Sequence, residues 1–172
     1  MKFFVFFILL FFLSINCFAF RIYTDAFKEK DFIPKEYTCD SIDYSPAIFW
    51  EDPPQNTESF AIVCEDPDAP VGLWVHWIAL NIPKDYRKLE KNLPKVFKLE
   101  DGIIQGVNDF GKIGYNGPCP PKGSPHRYYF KIYALDDYIK IEDNYYIDYK
   151  KFKSLIKDHI IESAEFFGYY KH

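Results

Sequence analysis

Short runs of β-branched and aromatic residues recur along most of this chain and restrict it to a mainly β fold. Each run is bounded by Pro, Gly, Asp or Asn, which are the residues that end strands. The clearest runs are Ala47 to Trp50, Phe60 to Glu65, Val75 to Ile82 and Tyr128 to Leu135, and weaker ones are Lys35 to Cys39 and Ile103 to Val107. With 172 residues, the chain is long enough for one domain with its own core.

Near the C-terminus, the apolar spacing changes from two residues to three and four. This spacing predicts a helix that Asp148 caps and Gly168 ends. Its apolar face consists of Phe152, Leu155, Ile156, Ile160, Ala164 and Phe167. The opposite face mixes lysines with acids, so we expect a solvated surface rather than a face that contacts a membrane.

The N-terminus has the pattern of a secretory signal peptide. Lys2 precedes eleven apolar residues, Phe3 to Leu13, and small residues follow at Cys17 and Ala19. The apolar run is shorter than the ~20 residues that span a membrane, although an uncleaved anchor stays an alternative. We therefore expect residues 1–19 to be removed and residues 20–172 to form one secreted or periplasmic domain without a membrane span.

The net charge limits the classes of binding partner, and the cysteine content bears on the cellular compartment. The formal charge of −4 argues against the basic surface that binding to a nucleic-acid backbone needs. After processing, three cysteines remain, and in an oxidising compartment they allow one disulfide and one free thiol. Cys64 lies in an apolar run typical of a strand buried on both faces, where a thiol is inert. Cys39 and Cys119 are then the candidate pair.

Two loops interrupt the regular alternation of strands and turns. The first, Asp66 to Trp74, places two carboxylates and two prolines between strongly apolar strands. The second, Asp109 to Pro125, has four Gly and four Pro among its seventeen residues. Loops of this length without secondary structure are uncommon in compact domains and tend to be functional.

Each of these loops lies beside a histidine at the end of a strand. The period of two places His76 on one face with Ile78 and Leu80, and His126 on one face with Tyr128. If the two strands are neighbours, both imidazoles and the Tyr128 hydroxyl converge on one pocket. The alternative is that they are ordinary strand-end residues with satisfied hydrogen bonds.

Five stretches contain most of the polar residues of these loops and strand ends. They are Asp66 to Pro70 (DPDAP), Trp74 to Trp77 (WVHW), Gly114 to Gly123 (GYNGPCPPKG), His126 to Tyr128 (HRY) and Tyr133 to Asp136 (YALD). Together they closely resemble the phosphatidylethanolamine-binding protein family. Further matches at Tyr37 to Asp40 and at Ser45-Pro46 resemble its bacterial, Raf kinase inhibitor-like branch. The resemblance runs from about Phe32 to Tyr170, with a departure at Ser41 and a stiffer approach to His126 at Ser124-Pro125.

This resemblance implies a β-sandwich of a large and a small antiparallel sheet, with a C-terminal α-helix beside an anion pocket. It also suggests a cis peptide bond before Pro70. The implied ligand-binding residues are Asp66, Asp68, Trp74, His76, Gly117, His126 and Tyr128. Imidazole N–H groups, a phenol and a backbone N–H near the glycine are donors suited to a phosphate. Asp66 suits a different task, because it can fix a histidine tautomer or accept a bond from a ligand ammonium.

Three classes of function follow from these residues. The favoured class is a non-catalytic binder of phosphate-bearing small ligands or phospholipid head groups, such as phosphoethanolamine, with no cofactor. The alternative is an inhibitor or regulator of a protein target, a kinase, protease or host factor, that uses the rim of the pocket. An enzyme is disfavoured because no serine lies in a nucleophile elbow. The residue types leave a two-histidine, one-carboxylate metal site open, although the resemblance argues against metal, and a homodimer is compatible with the sequence.

Overall fold

Two antiparallel sheets make up most of the structure, a computed structural model that describes residues 19–141 and 146–172. The small sheet has the strand order β1-β2-β5, and the large sheet has the order β6-β4-β3-β7-β8. The elements are β1 (Arg21–Tyr23), a 3-10 turn (Lys35–Tyr37), β2 (Ile48–Glu51), β3 (Ser59–Asp66), β4 (Trp74–Pro83), β5 (Lys88–Leu89), β6 (Ile104–Gln105), β7 (His126–Leu135), α1 (Tyr149–Ile156) and β8 (Ile160–Tyr170). The prediction of a mainly β sandwich with a C-terminal helix is confirmed.

The large sheet is buried on both faces, which explains why β3 is apolar along its length. Its inner face packs against Ile48 and Trp50 of the small sheet through residues such as Phe60, Ile62 and Phe130. Its outer face is covered by α1 and the segment before it. Burial on both faces favours the continuous apolar run that the sequence shows in β3. The outer core includes Ala61, Val63, Ile78, Leu80, Ile147, Phe152 and Ile156.

The predicted C-terminal helix is only half correct. It begins where expected, with the Asp148 carboxylate accepting a hydrogen bond from the Lys151 amide at 2.8 Å, but it ends at Ile156. Residues Ile160–Tyr170 form β8, which pairs with β7 along its whole length and so satisfies backbone groups that would otherwise form an open sheet edge. The resemblance also placed the helix beside the pocket; instead α1 packs on the outer face of the large sheet.

The other strand predictions agree with the structure except at one place. The four strong runs correspond to β2, β3, β4 and β7, and Ile103 to Val107 contains β6. Lys35 to Cys39 is not a strand, because the Tyr37 and Thr38 amides donate to the carbonyls of Pro34 and Lys35 and close a 3-10 turn. The short strands β1 and β5 were not predicted, because two or three residues are too few to show the alternation of apolar and polar residues.

A segment near the N-terminus covers part of the free edge of β8. The Lys30 and Ile33 amides donate to the carbonyls of Phe167 and Tyr169, both at 2.8 Å, and the Tyr169 amide donates to Asp31 at 2.9 Å. This backbone pairing joins parts of the chain that are almost 140 residues apart.

The cysteines are arranged as predicted. Cys39 and Cys119 form a disulfide with their Cα atoms 5.4 Å apart, and Cys64 is a buried free thiol whose pKa burial raises well above the usual value. The predicted signal peptide falls on residues 1–19, of which residues 1–18 lie outside the described residues. Over the described residues, the helical segment is too short to cross a membrane.

Candidate functional site

The ends of three neighbouring strands meet at one edge of the large sheet. Since β3 runs antiparallel to β4 and to β7, its last residue lies beside the first residues of both. Asp66 ends β3, Trp74 starts β4 and His126 starts β7. The sequence argument assumed that the two strands with the histidines, β4 and β7, are neighbours. In the structure they lie on either side of β3, and their histidine side chains still line the same cavity.

A β-bulge in β4 determines where His76 points. Cys64 pairs with Trp77, and Glu65 pairs with Val75, so His76 has no partner in β3. Such an extra residue shifts the alternation of faces. The prediction that His76 shares a face with Ile78 is therefore wrong: Ile78 packs on the outer side, whereas the His76 ring contacts the Tyr128 ring, with centroids 5.2 Å apart.

Two carbonyl oxygens fix the tautomer of His76. Nδ1 lies 2.6 Å from the Asn116 carbonyl oxygen and 3.1 Å from that of Gly117. Because carbonyls only accept hydrogen bonds, Nδ1 must carry a proton, and Nε2 is the ring atom left for a ligand. Burial lowers the pKa of His76, so the neutral ring is favoured in the empty site.

Asp66 orients the second imidazole. Its Oδ2 lies 2.8 Å from Nδ1 of His126, and its Oδ1 accepts a hydrogen bond from the Asp68 amide at 2.8 Å. Both side chains of the Asp66–His126 pair are buried. The carboxylate thus fixes Nδ1 of His126 as a donor and turns Nε2 away from the pair, as a carboxylate does for a metal-bound or catalytic histidine.

The Tyr128 hydroxyl is a buried polar group that lacks a hydrogen-bond partner among the described residues. Its pKa is raised, mainly by burial and next by the Asp66 carboxylate, so it remains a neutral donor. A buried hydroxyl that has lost water without gaining a partner costs about 1–3 kcal/mol. The arrangement thus favours an acceptor from a ligand or a water at this position.

These groups face a cavity of about 190 Å³. Drug-sized ligands occupy roughly 300–1,000 Å³, so this cavity suits a phosphate-sized group. Its lining combines the buried polar side chains with prolines and aromatic rings. The lining residues are Asp66, Ala69, Pro70, Val71, Trp74, His76, Phe110, Cys119, Pro120, Pro121, His126 and Tyr128.

Asp68 does not line this cavity, although the resemblance included it in the binding site. Its carboxylate pairs with the Arg127 side chain at 2.6 and 2.8 Å and accepts the Arg127 amide at 2.9 Å. Hydrogen bonds from Arg127 lower the pKa of Asp68 and keep it ionised. The pair holds the first loop against the start of β7. The peptide bond before Pro70 is trans, since the described residues include no cis bond.

Gly117 is not a lining residue of the cavity, but its carbonyl oxygen contacts Nδ1 of the lining residue His76. Its amide donates to the Asp43 carboxylate at 2.6 Å, so this N–H is not directed at a ligand. A Cβ at this position would lie 2.0 Å from the carbonyl oxygen of Tyr37, which is closer than side chains pack. The glycine is therefore needed for the close approach of two backbone segments.

Sequence reasoning missed Phe110 and Asp43. The Phe110 ring contacts His76 and Trp74 with centroid distances of 5.3 and 5.4 Å, and it lies in the long loop that the sequence had singled out. Its aromatic character beside Asp109 was the available signal. Asp43 binds the amides of Asn116 and Gly117 from more than 70 residues away, and no local pattern indicates such a contact.

The described residues do not bring two histidines and a carboxylate of this pocket into one group with ligand atoms close enough to share an ion. In the described part of the chain, the group of three whose ligand atoms lie close enough to share an ion is Cys39, Cys119 and His172, outside the two-histidine cluster. Asp66 also already bonds His126 through Nδ1.

Comparison with known proteins gives a consistent result. The sequence profile described as phosphatidylethanolamine-binding protein matches residues 23–171. The chain is 41% identical over 148 residues to a UPF0098 protein of Methanothermobacter thermautotrophicus, covering 86% of this chain and 96% of that one.

Two solved structures are similar over nearly their whole length. Escherichia coli YbcL, described as a member of the mammalian PEBP family, is 32% identical with a TM-score of 0.82, covering 89% of this chain and 98% of YbcL. CT736 of Chlamydia trachomatis, described as a putative PEBP homologue, is 34% identical with a TM-score of 0.80, covering 90% of this chain and 98% of CT736.

Proposed function

Because the chain belongs to the phosphatidylethanolamine-binding protein family, we propose that it is an exported, non-catalytic protein that binds a phosphate-bearing small ligand or phospholipid head group in this pocket. The observation that carries the proposal is the convergence of two oriented imidazoles on a buried phenol to which no described residue offers a hydrogen bond. The N-terminal pattern and the disulfide support export.

Once their rings are protonated, the two imidazoles and the Tyr128 hydroxyl supply three donors for a phosphate; in a neutral ring with its proton on Nδ1, Nε2 only accepts. Nε2 of His76, Nε2 of His126 and the Tyr128 hydroxyl are the polar atoms that the protein's own hydrogen bonds leave for a ligand. A phosphoryl group offers three acceptor oxygens, and it favours the charged form of a nearby imidazole. Phosphoethanolamine brings such a group together with an ammonium, which carries the opposite charge to Asp66.

Binding without turnover is supported by the lining of the cavity. Its residues include no serine, threonine or lysine, and the sulfur of Cys119 is held in the disulfide. Of the nucleophiles used in covalent catalysis, the lining has no serine, threonine, lysine or free thiol; both Asp66 oxygens already accept hydrogen bonds, and the raised pKa of Tyr128 keeps its phenol protonated. We therefore expect no hydrolysis of phosphoethanolamine.

A second candidate has support from the rim. Val71 is 76% exposed and Phe110 is 37% exposed, and both line the cavity mouth. Exposed apolar side chains around a polar pocket also suit a protein partner that inserts an acidic or phosphorylated side chain. In that case the pocket binds the partner's anionic group and free phosphate binds weakly.

The sharpest test is Tyr128→Phe, which removes only the unpartnered hydroxyl. In calorimetry with inorganic phosphate and with phosphoethanolamine, we expect affinity to fall roughly 10- to 100-fold, the value of a hydrogen bond to a charged group. The free energy of unfolding should stay equal or rise by up to about 1 kcal/mol, because a buried unsatisfied group is lost.

His159→Ala is the matched control. His159 also pairs with an aspartate, Asp136, at 2.9 Å, but it lies on the surface away from the cavity. Phosphate affinity should be unchanged in this variant. If wild-type protein binds neither phosphate nor phosphoethanolamine at any pH, or if Tyr128→Phe binds as tightly as wild type, the small-ligand proposal fails.

A further inference from the structure

An imidazole faces the disulfide on the outer side of the pocket wall. Nε2 of His172 lies 4.0 Å from Sγ of Cys39, and the ligand atoms of Cys39, Cys119 and His172 all lie within 4.8 Å of one another. These are the thiol and imidazole side chains that bind borderline-soft cations. All three residues are exposed, so both a reductant and an ion have access.

The imidazole is oriented as a metal ligand would be. Nδ1 of His172 lies 3.1 and 3.2 Å from the two oxygens of the Asp40 carboxylate, which leaves Nε2 directed at the sulfurs. The Tyr170 hydroxyl donates to the same carboxylate and anchors it to β8. A carboxylate behind a histidine in this way fixes the tautomer and raises the basicity of the ligating nitrogen.

We propose that reduction of the Cys39–Cys119 disulfide converts this cluster into a site for a borderline-soft divalent cation such as Zn²⁺. The ligands are the two thiolates and Nε2 of His172, and a water completes the tetrahedron. The site shares Cys119 with the wall of the pocket, but the proposal does not depend on which ligand the pocket binds. It belongs to the dithiol state, in which every chain exists before its cysteines are oxidised.

The required movement is small. Tetrahedral zinc with Zn–S near 2.3 Å and Zn–N near 2.0 Å sets its sulfurs about 3.8 Å apart and the nitrogen about 3.5 Å from each. The present Nε2 to Sγ distance of 4.0 Å is close to this value. Once the S–S bond is broken, rotation of the two cysteine side chains is enough to separate the sulfurs.

The chemistry balances with a named reductant. A phosphine takes up the oxygen of one water, and the disulfide gains two electrons and two protons to become two thiols. Binding of Zn²⁺ then displaces both thiol protons, so about two protons are released for each ion bound near neutral pH. Oxidation of the dithiol by a disulfide or by oxygen reverses the first step and expels the ion.

Zinc titration of the phosphine-reduced, desalted protein under anaerobic conditions tests the proposal. We expect one Zn²⁺ per chain with release of about two protons, and Co²⁺ as a second probe should give thiolate-to-metal absorption. The oxidised protein should bind Zn²⁺ at least 100-fold more weakly. His172→Ala and Asp40→Asn should each weaken binding to the reduced protein by about 10-fold or more.

Controls separate this site from other ligands. His159→Ala should bind Zn²⁺ like wild type, and so should Cys64→Ala, whose thiol is buried elsewhere. If reduction loosens the fold, Zn²⁺ must restore the near-UV circular dichroism of wild type and fail to restore that of His172→Ala. Equal binding by the oxidised and reduced proteins, no binding by either, or unchanged binding by His172→Ala would overturn the proposal.

Discussion

Two polar side chains at the pocket lower the free energy of unfolding of the protein that has no anion bound. The Tyr128 hydroxyl is buried with no hydrogen-bond partner in the described part of the chain, and burial lowers the pKa of His76, which favours its neutral ring. Each of these features disfavours the free state and would be relieved by a bound anion, because the phenol gains an acceptor and the imidazole gains a counter-charge. At these two residues, the features that favour binding of an anion therefore lower the stability of the protein without an anion.

The proton of His76 should therefore give two pH trends of opposite sign. An unfolded histidine titrates near ~6.5, and the folded pKa is lower, so the unfolded state binds more protons below that pH. The free energy of unfolding should then decrease as the pH falls below about 6.5, by at most about 1.4 kcal/mol per pH unit from this group. The affinity for an anion should instead increase as the pH falls, by up to about tenfold per pH unit for each linked proton.

Chemical denaturation and calorimetry between pH 5.5 and 8 measure the two trends. Sulfate is the better probe for affinity, because phosphate has its own second ionisation near pH ~6. His76→Gln should flatten both curves, and His159→Gln, on the surface away from the cavity, should leave the affinity curve unchanged. Parallel curves for wild type and His76→Gln would show that His76 is not the group responsible.

At the scale of elements, backbone irregularities position the site. The bulge at His76 turns the ring towards Tyr128, and the approach of Gly117 to Tyr37 sets the position of the long loop. The carbonyls of Asn116 and Gly117 then hold Nδ1 of His76. Displacement of this loop should therefore disturb the imidazole without any change to a lining residue.

Gly117→Ala tests this dependence. Its Cβ would lie 2.0 Å from a backbone oxygen, so the loop has to move. Overpacking of this kind costs typically about 1–3 kcal/mol, and we expect the upper part of that range together with weaker phosphate binding. Ser124→Ala, an exposed change in the same loop, is the control. A melting temperature and affinity equal to wild type would contradict this role of Gly117.

The same irregularities mark the limit of what the sequence predicts. Strand composition located β3, β4 and β7, and the unusual loops indicated Asp66, His76, His126 and Tyr128. The period of two failed at His76 because a bulge leaves no signature in one strand alone. The helix was overextended because Ile160, Ala164 and Phe167 continue the spacing of three and four, and only pairing with β7 selects the strand. Asp43 acts through contacts that are distant in sequence.

At the scale of the whole molecule, the disulfide and two hydrogen bonds attach the long loop to the 3-10 turn Lys35–Tyr37 and the residues that follow it. The Cys39 amide donates to the Pro118 carbonyl at 3.1 Å, and the Tyr115 hydroxyl donates to the Tyr37 carbonyl at 2.8 Å. The covalent bond closes a loop of 80 residues. It thereby links the pocket wall at Cys119 to a segment that precedes the large sheet.

Removal of this bond should destabilise the protein strongly. For a loop of this length, the chain-entropy estimate is about 4–5 kcal/mol. We expect Cys39→Ser/Cys119→Ser, measured by urea denaturation without metal, to lose most of that free energy of unfolding. Cys64→Ser is the comparison, since it leaves the bridge intact. A loss below about 1 kcal/mol for the double variant would show that the bridge contributes little.

Processing of the N-terminus is the prediction for the complete chain. If residues 1–19 are a cleaved signal peptide, the exported protein starts at Phe20, one residue before β1. Intact mass spectrometry of the exported material should give the mass of residues 20–172, less two hydrogens for the disulfide. A mass that includes Met1 to Ala19 would contradict cleavage.

The pairing of Lys30, Asp31 and Ile33 with the end of β8 has a consequence for the timing of folding. A ribosome releases residue 30 long before residue 169, so this contact cannot form until residue 169 has been released. Folding that depends on such distant contacts is slow, because a large loop must close first. Until it closes, the C-terminal half of β8 lacks the segment that covers its edge. Closure of this edge is therefore a late event in folding, which has to wait for the release of residue 169.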